Sequence, residues 1–327
     1  MKKNIKKIIC AVLLVVMSAV SLSGCGSADT AGGGSKYIYL TYNTSTDTFK
    51  GVLSKAIVSS AADENVTVDV YDGTESIDEQ IEKIKEFVQS GYDGIIVQAV
   101  DAGTAKQIEI AAGDLPVVFI NNKPDDDLLK ADKYVYTGSE ETQAGELQAQ
   151  WVMEKLGNPS ELNAIILKGV EGHAATIGRT KAVKYTLRAA GIKVNYVFND
   201  YASWSDTEAA DLMKTFFRTG QNVDVVFCNN DTMALGVVEA FKENGVDYSN
   251  IPICGVDATE DGCASIKAGE MSMTVLQDAE GQANAAVKAI KRLSNGKSIG
   301  DMDGALEDCK AVIVPFSIVD ASNVSQY

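Results

Sequence analysis

Short apolar segments alternate with helical patterns along this chain, and the alternation runs twice. In the stretch Ile77–Gln89, for example, Ile77, Ile81, Ile84 and Val88 recur at the spacing of one helix face. The segments between the helices are apolar throughout, which is typical of parallel strands covered on both sides. We predict strands at 37–42, 66–71, 94–97, 117–120, 134–137, 164–167, 194–198, 225–228, 253–256 and 273–276. The sequence therefore predicts an α/β fold with two parallel-sheet halves.

Polar and aromatic side chains follow the carboxyl ends of these predicted strands in both halves. Ligands of open parallel sheets bind beyond those ends, so these side chains are candidate ligand-binding residues. For any single asparagine or aspartate, such as Asn230 or Asp257, capping of the next helix is an equally good explanation. The recurrence at corresponding places in both halves favours a shared site. The candidates are Asp47, Phe49, Asn121, His173, Arg179, Trp204, Asn230, Asp257 and Gln277.

This set of side chains suits a neutral, polyhydroxylated ligand. Carboxylate, amide, imidazole and guanidinium groups have planar donors and acceptors that match adjacent hydroxyls, and charged partners strengthen those bonds. Phe49 and Trp204 can stack on the apolar faces of a pyranose ring. A phosphorylated ligand would call for a glycine-rich loop, but the segment 169–172 is too sparse and carries Glu171. We therefore expect a neutral monosaccharide.

The first 25 residues have the order of a bacterial export signal. Four lysines within residues 2–7 precede the apolar run 8–20, which is shorter than the ~20 residues that span a bilayer. The run ends in Leu-Ser-Gly-Cys25, which resembles a lipobox; the alternative is an ordinary signal with a chance cysteine. We expect a signal peptide over 1–24, a lipid on Cys25 and a flexible tether over 25–35. The protein would then be extracytoplasmic and anchored to the cell membrane.

Charge and histidine content exclude several functions. The chain has 29 basic and 45 acidic residues, a formal charge of −16, which disfavours binding to nucleic acid. A single histidine, His173, cannot build a multi-histidine metal site. No nucleophile–base motif is present, so we expect no enzymatic activity, no cofactor and no metal.

The cysteines signal neither zinc binding nor redox chemistry. Cys228, Cys254, Cys263 and Cys309 lack the CxxC spacing. Cys228 and Cys254 fall within apolar strand patterns, where a free cysteine acts as a small hydrophobe. We expect core packing, although a disulfide is an open alternative whose pairing the sequence does not give.

From Lys36 onward the chain resembles the periplasmic sugar-binding proteins of ABC transporters, most closely their galactose/glucose-binding members. The resemblance is carried by YNTSTDTF (42–49), LPVVFINNKP (115–124), KGVEGHAATIGR (168–179), YASWSDT (201–207), CNNDTMALGVVEA (228–240), IPICGVDA (251–258) and GEMSMTVLQDAEGQA (269–283). It implies the type I periplasmic binding protein fold, with two Rossmann-like lobes joined by a three-strand hinge. The implied lobes are 36–138 plus 282–312 and 139–281 plus 313–327, with crossings near 138–140, 278–281 and 313–316.

The resemblance also implies a sugar-binding role for each of the nine candidates. The counterparts of Asn121 and His173 read the hydroxymethyl oxygen that a pyranose pentose lacks, and the counterpart of Trp204 stacks on the sugar. Two departures stand out. Ala175 replaces an aspartate that reads the anomeric hydroxyl, which would loosen anomer discrimination or admit an O1-substituted glycoside. The segment 157–163 replaces a calcium loop, so we expect no calcium site.

The sequence thus predicts a monomeric, lipid-anchored solute-binding protein. It would capture galactose, glucose or a methyl galactoside and deliver it to an ABC transporter permease. The alternative is a sugar-sensing lipoprotein that presents a pentose or another hexose to a sensor kinase or chemoreceptor. A nucleotide-binding enzyme is supported by fold alone. The sequence does not separate transport from signalling, or one monosaccharide or anomer from another.

Overall fold

The structure is a computed structural model that describes residues 34–327. The predicted signal peptide (1–24), Cys25 and the predicted tether up to residue 33 lie outside the described residues. The described part forms two six-stranded sheets, each flanked by helices. This arrangement confirms the predicted α/β fold with two lobes.

Twelve strands and nine helices of the α type make up the described part of the chain. The strands are β1 (Lys36–Tyr42), β2 (Thr67–Gly73), β3 (Gly94–Val97), β4 (Val117–Ile120), β5 (Tyr134–Gly138), β6 (Glu161–Lys168), β7 (Lys193–Tyr201), β8 (Val225–Cys228), β9 (Ile253–Cys254), β10 (Met273–Leu276), β11 (Ala311–Ile313) and β12 (Ser317–Asp320). The helices are α1 (Thr48–Asp63), α2 (Ile77–Gln89), α3 (Ala105–Ala112), α4 (Glu141–Lys155), α5 (Ala174–Ala189), α6 (Asp206–Phe217), α7 (Asp231–Glu243), α8 (Glu260–Lys267) and α9 (Ala279–Ser294).

Each sheet is covered on both faces, as the apolar strands predict. The first sheet has the order β11-β5-β4-β3-β1-β2 and is parallel throughout. Helices α1 and α9 bury one of its faces, and α2 and α3 bury the other. The second sheet has the order β12-β10-β9-β8-β6-β7, with α4 and α5 on one face and α6, α7 and α8 on the other. Only β12 runs antiparallel, against β10.

The chain passes between the two sheets three times. It crosses between β5 and α4, between β10 and α9, and between β11 and β12. These segments coincide with the crossings expected near 138–140, 278–281 and 313–316. The residue boundaries of the two lobes stay a prediction.

Six predicted strands differ in length from the observed ones, most of all β6, β7 and β9. The strand predicted over 164–167 extends over Glu161–Lys168. The strand predicted over 253–256 is regular only at Ile253–Cys254. The N–H groups of Gly255 and Asp257 still donate to the Met273 and Val275 carbonyl oxygens, and the chain leaves the sheet at Asp257 and Ala258, where φ is 122° and 54°. The strand predicted over 194–198 extends over Lys193–Tyr201, with a shift in its pairing to β6 between Ala164 and Ile165. Strand β7 lies at the edge of its sheet.

The cysteines of the described part are unpaired. Cys228, Cys254 and Cys263 are buried, as core packing predicts, and Cys309 is partly exposed. Among residues 34–327 no helix combines the length and apolarity needed to cross a bilayer.

Candidate functional site

All nine predicted ligand-binding side chains line one cavity between the two sheets. Lys50 and Ala175 complete the lining. The first sheet's lobe supplies Asp47, Phe49, Lys50 and Asn121, and the remaining residues come from the second sheet's side. The cavity measures about 40 Å³, room for about three waters at ~10–15 Å³ each. The structure therefore brings together every residue that the strand-end argument selected.

The backbone adopts an unusual conformation at three of these residues. Asn121, Trp204 and Asp257 have φ angles of 64°, 67° and 122°. Such angles disfavour residues other than glycine and cost on the order of 1–3 kcal/mol each. The surrounding fold holds these residues against that cost, which is common where side chains must be aimed into a site.

Helix capping, the simpler explanation for some of these residues, applies to three of the nine. Asp47 caps α1, His173 caps α5 and Asn230 caps α7, each accepting a hydrogen bond from a backbone N–H of its helix. Helix capping does not explain Asp257, because Thr259 is the residue that caps α8. The carboxylate of Asp257 is buried and faces the cavity without a capping role.

Arg179 organises the polar side of the cavity. Its Nε donates to Glu141 Oε2 at 2.7 Å, Nη1 to the Asn229 carbonyl oxygen at 2.6 Å, and Nη2 to Gln277 Oε1 at 2.7 Å. A guanidinium has five N–H donors, so two remain free for other partners. Burial raises the pKa of the Glu141 carboxyl, although the charge of Arg179 opposes this effect.

Asp257 lies beside Arg179, with 3.7 Å between Oδ1 and Nη1. Burial raises the pKa of Asp257 well above its ordinary value, while the neighbouring guanidinium favours the charged form. The pair gives the cavity a strong acceptor next to a strong donor. Such a pair suits two adjacent hydroxyl groups.

His173 is neutral and fixed in orientation. Burial, together with the charges of Arg179 and Lys50, lowers the pKa of the imidazole to about 3. Nδ1 accepts a hydrogen bond from the Ala175 backbone N–H at 3.2 Å. The ring proton is therefore assigned to Nε2, which becomes a donor.

Trp204 is held by its neighbours on two sides. The His173 ring meets the indole edge-on, with centroids 5.5 Å apart and an angle of 82°. The indole also lies directly against Gly169, where any Cβ would overlap the six-membered ring. Gly169 thus provides the space that the indole occupies.

The sequence argument missed Lys50, which lines the cavity. Its ammonium lies 3.5 Å from a carboxylate oxygen of Asp47 and 3.8 Å from the centroid of the Tyr42 ring. A signal existed, because Lys50 falls on the buried face of α1 with Leu53 and Ile57. Glu141, Asn229 and Gly169 were also missed, since they act through Arg179 or Trp204 and do not line the cavity themselves.

Two larger chambers adjoin the cavity. Their volumes are about 270 and 240 Å³, and both are lined by Lys50, Trp204 and the exposed Glu75. They enlarge the space that is open next to the cavity. Among the described residues no group of three or more His, Cys, Asp or Glu side chains is placed to hold a metal ion.

Comparison with known proteins identifies the family. A family model described as a periplasmic binding protein domain matches residues 38–298, so the chain belongs to this family. A Rhizobium meliloti protein named for rhizopine binding is 29% identical over 81% of this chain and 83% of its own length. The D-galactose/methyl-galactoside binding periplasmic protein of Haemophilus influenzae is 27% identical over 97% of this chain and 98% of its own.

Solved structures agree. An ABC transporter solute binding protein from Bacillus halodurans with bound myo-inositol superposes with a TM-score of 0.78 at 27% identity. The match covers 91% of this chain and 99% of that one. The comparisons confirm the family and the two-lobe fold predicted from the sequence.

Proposed function

We propose that this chain is a lipid-anchored, extracytoplasmic binding protein that captures a neutral monosaccharide and delivers it to an ABC transporter permease. Galactose, glucose and methyl galactosides are the proposed ligands. One observation carries the proposal: nine polar and aromatic side chains from both lobes face a single buried cavity. None of them needs to perform chemistry for this function.

The charges of the cavity favour an uncharged ligand. Lys50 pairs with Asp47, and Arg179 pairs with Glu141 and lies 3.7 Å from Asp257, so each buried cation has a carboxylate partner. A charged ligand would leave one of these buried groups without its partner, which is costly in a low-dielectric site. A hydroxyl group can accept and donate at once, so it fits between the existing pairs.

Several polar atoms remain available for such hydroxyls. Asn121 Oδ1 accepts from Gln98 Nε2 at 2.7 Å, which leaves its Nδ2 as a donor. Gln277 Nε2 is buried without a protein partner. With His173 Nε2 and two Arg179 N–H groups they form a set of donors in the cavity that Asp257 also lines. The hexose preference rests on Asn121 and His173, as the family resemblance implies.

A cyclitol is a second candidate ligand, and it is favoured by the alanine at position 175. Ala175 offers no acceptor at the place where an anomeric hydroxyl would be read, and a cyclitol has no anomeric centre. The Bacillus halodurans structure contains myo-inositol. The same donors and carboxylate would bind the hydroxyls of either ring.

Binding requires the lobes to move. A hexose has about twelve heavy atoms, whereas the cavity holds about 40 Å³. We propose that the lobes 36–138 plus 282–312 and 139–281 plus 313–327 open at the three crossings and close on the ligand. A ligand that contacts both lobes stabilises the closed form, which the permease then recognises.

Calorimetry of the 34–327 fragment, which forms one compact unit, tests the ligand. We expect binding of galactose, glucose, a methyl galactoside or myo-inositol, and much weaker binding of ribose, xylose and arabinose. Binding of pentoses alone would refute the role given to His173 and Asn121. Binding of none of these compounds would refute the ligand class.

Tryptophan variants test the site itself. Trp204→Ala should abolish binding with little loss of fold, and Asp257→Ala should do the same. Trp151→Phe is the matched control, because Trp151 donates to Asp320 at 2.8 Å, away from the cavity. The chain has two tryptophans, so a ligand-induced fluorescence change should persist in Trp151→Phe and vanish in Trp204→Phe.

The anchor and the partner need separate tests. Cys25→Ala should release the protein into the medium if Cys25 is lipidated. Loss of sugar uptake on deletion of this chain supports delivery to a permease. Unchanged uptake with loss of a sugar response would instead support presentation to a sensor kinase or chemoreceptor.

A further inference from the structure

A groove lies on the outer side of the second lobe, between α5 and the edge strand β7. Its volume is about 640 Å³, and it shares no lining residue with the ligand cavity or the two adjoining chambers. The proposed sugar-binding function therefore leaves this groove without a role. Its lining residues are Lys168, Thr176, Ile177, Thr180, Lys181, Lys184, Tyr185, Arg188, Ile192, Val194, Tyr196 and Tyr201.

The groove is basic on a strongly acidic protein. Four cations line it, Lys168, Lys181, Lys184 and Arg188, and no aspartate or glutamate is among its lining residues. None of the four forms an ion pair with a carboxylate within residues 34–327. The whole chain carries 45 acidic residues and a net charge of −16. Four unneutralised cations in one concave surface therefore attract an anionic partner.

Aromatic faces hold three of these cations in place. Lys168 lies 3.6 Å from the centroid of the Tyr201 ring, and Lys184 lies 5.0 Å from that of Tyr196. Arg188 lies 5.6 Å from the Tyr185 centroid. Burial lowers the pKa of the Lys184 ammonium, and the charge of nearby Lys168 adds to this effect. Cation–π contacts orient them without cancelling their charge.

The groove also has an apolar surface and an open strand beside it. Val194 and Tyr196 of β7 and Ile192 just before it contribute to the lining. Ile177 and Tyr185 on α5 are 56% and 60% exposed. Strand β7 is nine residues long and pairs only with β6, so its outer edge presents free backbone groups within the described part of the chain.

We propose that this groove, with the free edge of β7, docks an extended acidic segment of a protein partner. The segment pairs its backbone with β7 and places acidic side chains against Lys168, Lys181, Lys184 and Arg188. In this pairing the acidic side chains lie on the face of the sheet that α5 covers, where Val194 and Tyr196 also lie. The alternate apolar side chains of the segment fall on the opposite face, beside Val197 and Phe198, because side chains along a strand alternate between faces. A flat membrane surface fits a concave groove poorly, and a small anion would leave most of its length uncovered.

The test uses a fluorescent peptide of alternating glutamate and valine, nine residues long to match β7. We expect the full chain to bind it, with affinity that falls as salt rises. Lys181→Glu combined with Lys184→Glu should weaken binding about tenfold or more. Amide hydrogen exchange over 193–201 should slow when the peptide is bound. Sugar binding and melting temperature of the variant show that the fold is intact.

Matched controls make the outcome decisive. Lys85→Glu and Lys288→Glu change exposed lysines on the first lobe and should leave peptide binding unchanged. Equal weakening by these controls would show general charge attraction and overturn the proposal. Equal binding of a lysine–valine peptide would also overturn the proposal, and so would unchanged amide exchange over 193–201. Binding to phosphatidylglycerol vesicles in place of the peptide would overturn it as well. Free glutamate and inorganic phosphate should not compete at the concentration of the peptide, and equal competition would indicate a small-anion site instead.

Discussion

The lowered pKa of His173 should make a pH-dependent contribution to the stability of this protein. It is the only histidine of the chain. Burial and two nearby cations lower the pKa of its imidazole from 6.5 to about 3. Between these values the unfolded chain binds a proton that the folded chain does not. The free energy of unfolding should therefore fall as the pH is lowered through 6.5 toward 3.

The size of this effect follows from the shift. One pKa unit corresponds to about 1.4 kcal/mol, so a fall from about pH 7 to about pH 5 removes at most about 2 kcal/mol of stability. Asp231 acts in the opposite direction, because burial raises the pKa of its carboxyl from 3.8 to about 7. Its contribution is complete below pH 3.8 and is lost as the pH rises through 7. The buried carboxyls of Glu141 and Asp257, whose pKa values burial also raises, act in the same direction as Asp231. The opposing effects overlap, so the wild-type curve alone does not isolate the contribution of His173.

The variant His173→Asn separates them. Asparagine is a good N-cap and can accept the hydrogen bond from the Ala175 N–H, so α5 keeps its cap. Urea unfolding at pH 5, 6 and 7 should show that the wild type loses about 2 kcal/mol more than the variant as the pH falls. NMR of histidine-labelled protein gives a single imidazole signal and reads its protonation directly. Titration of that signal near pH 6.5, or parallel stability curves, would refute the assigned state of His173.

Three further outcomes follow from the structure. Asp231→Asn keeps one of the two acceptor oxygens and removes one opposing buried carboxyl, so its stability should rise more steeply than that of the wild type from pH 4 to pH 6.5 in urea unfolding; parallel curves would contradict it. Gly169→Ala should displace the Trp204 indole and weaken sugar binding about tenfold or more, seen by calorimetry, at little cost in melting temperature. Calcium should not raise the melting temperature, and a marked rise would show that the calcium expectation for 157–163 is wrong.

The fold was predictable because its signal is local. The helix face of Ile77, Ile81, Ile84 and Val88 and the wholly apolar strands are properties of neighbouring residues. The ends of β9 and β7 were not predictable in the same way. The regular part of β9 ends at Cys254, after which only single backbone bonds and one bridge join it to β10, and β7 shifts its register against β6. Both features depend on partner strands that are distant in the sequence.

The residues of the candidate site also fall into a predictable and an unpredictable group. Residues that enter the cavity from strand ends could be selected from sequence order alone, because parallel strands present their carboxyl ends at one edge. Residues that act through another side chain could not. Glu141 and Asn229 contribute to the site because Arg179 donates hydrogen bonds to both. Gly169 contributes because the Trp204 indole lies against it. Lys50 was missed but could have been predicted, because the sequence places it on the apolar face of α1.

Capping and ligand binding turn out to be compatible roles in this cavity. Asn230 Oδ1 accepts from the Met233 N–H at 3.0 Å, which fixes the rotamer and leaves Nδ2 as a donor. Asp47 and His173 likewise cap α1 and α5 while lining the cavity. Three helix N-termini therefore converge on one small space, and their dipoles make it locally positive. The carboxylates of Asp47 and Asp257 offset that potential, which leaves a balanced, preorganised surface better matched to hydroxyls than to a net charge.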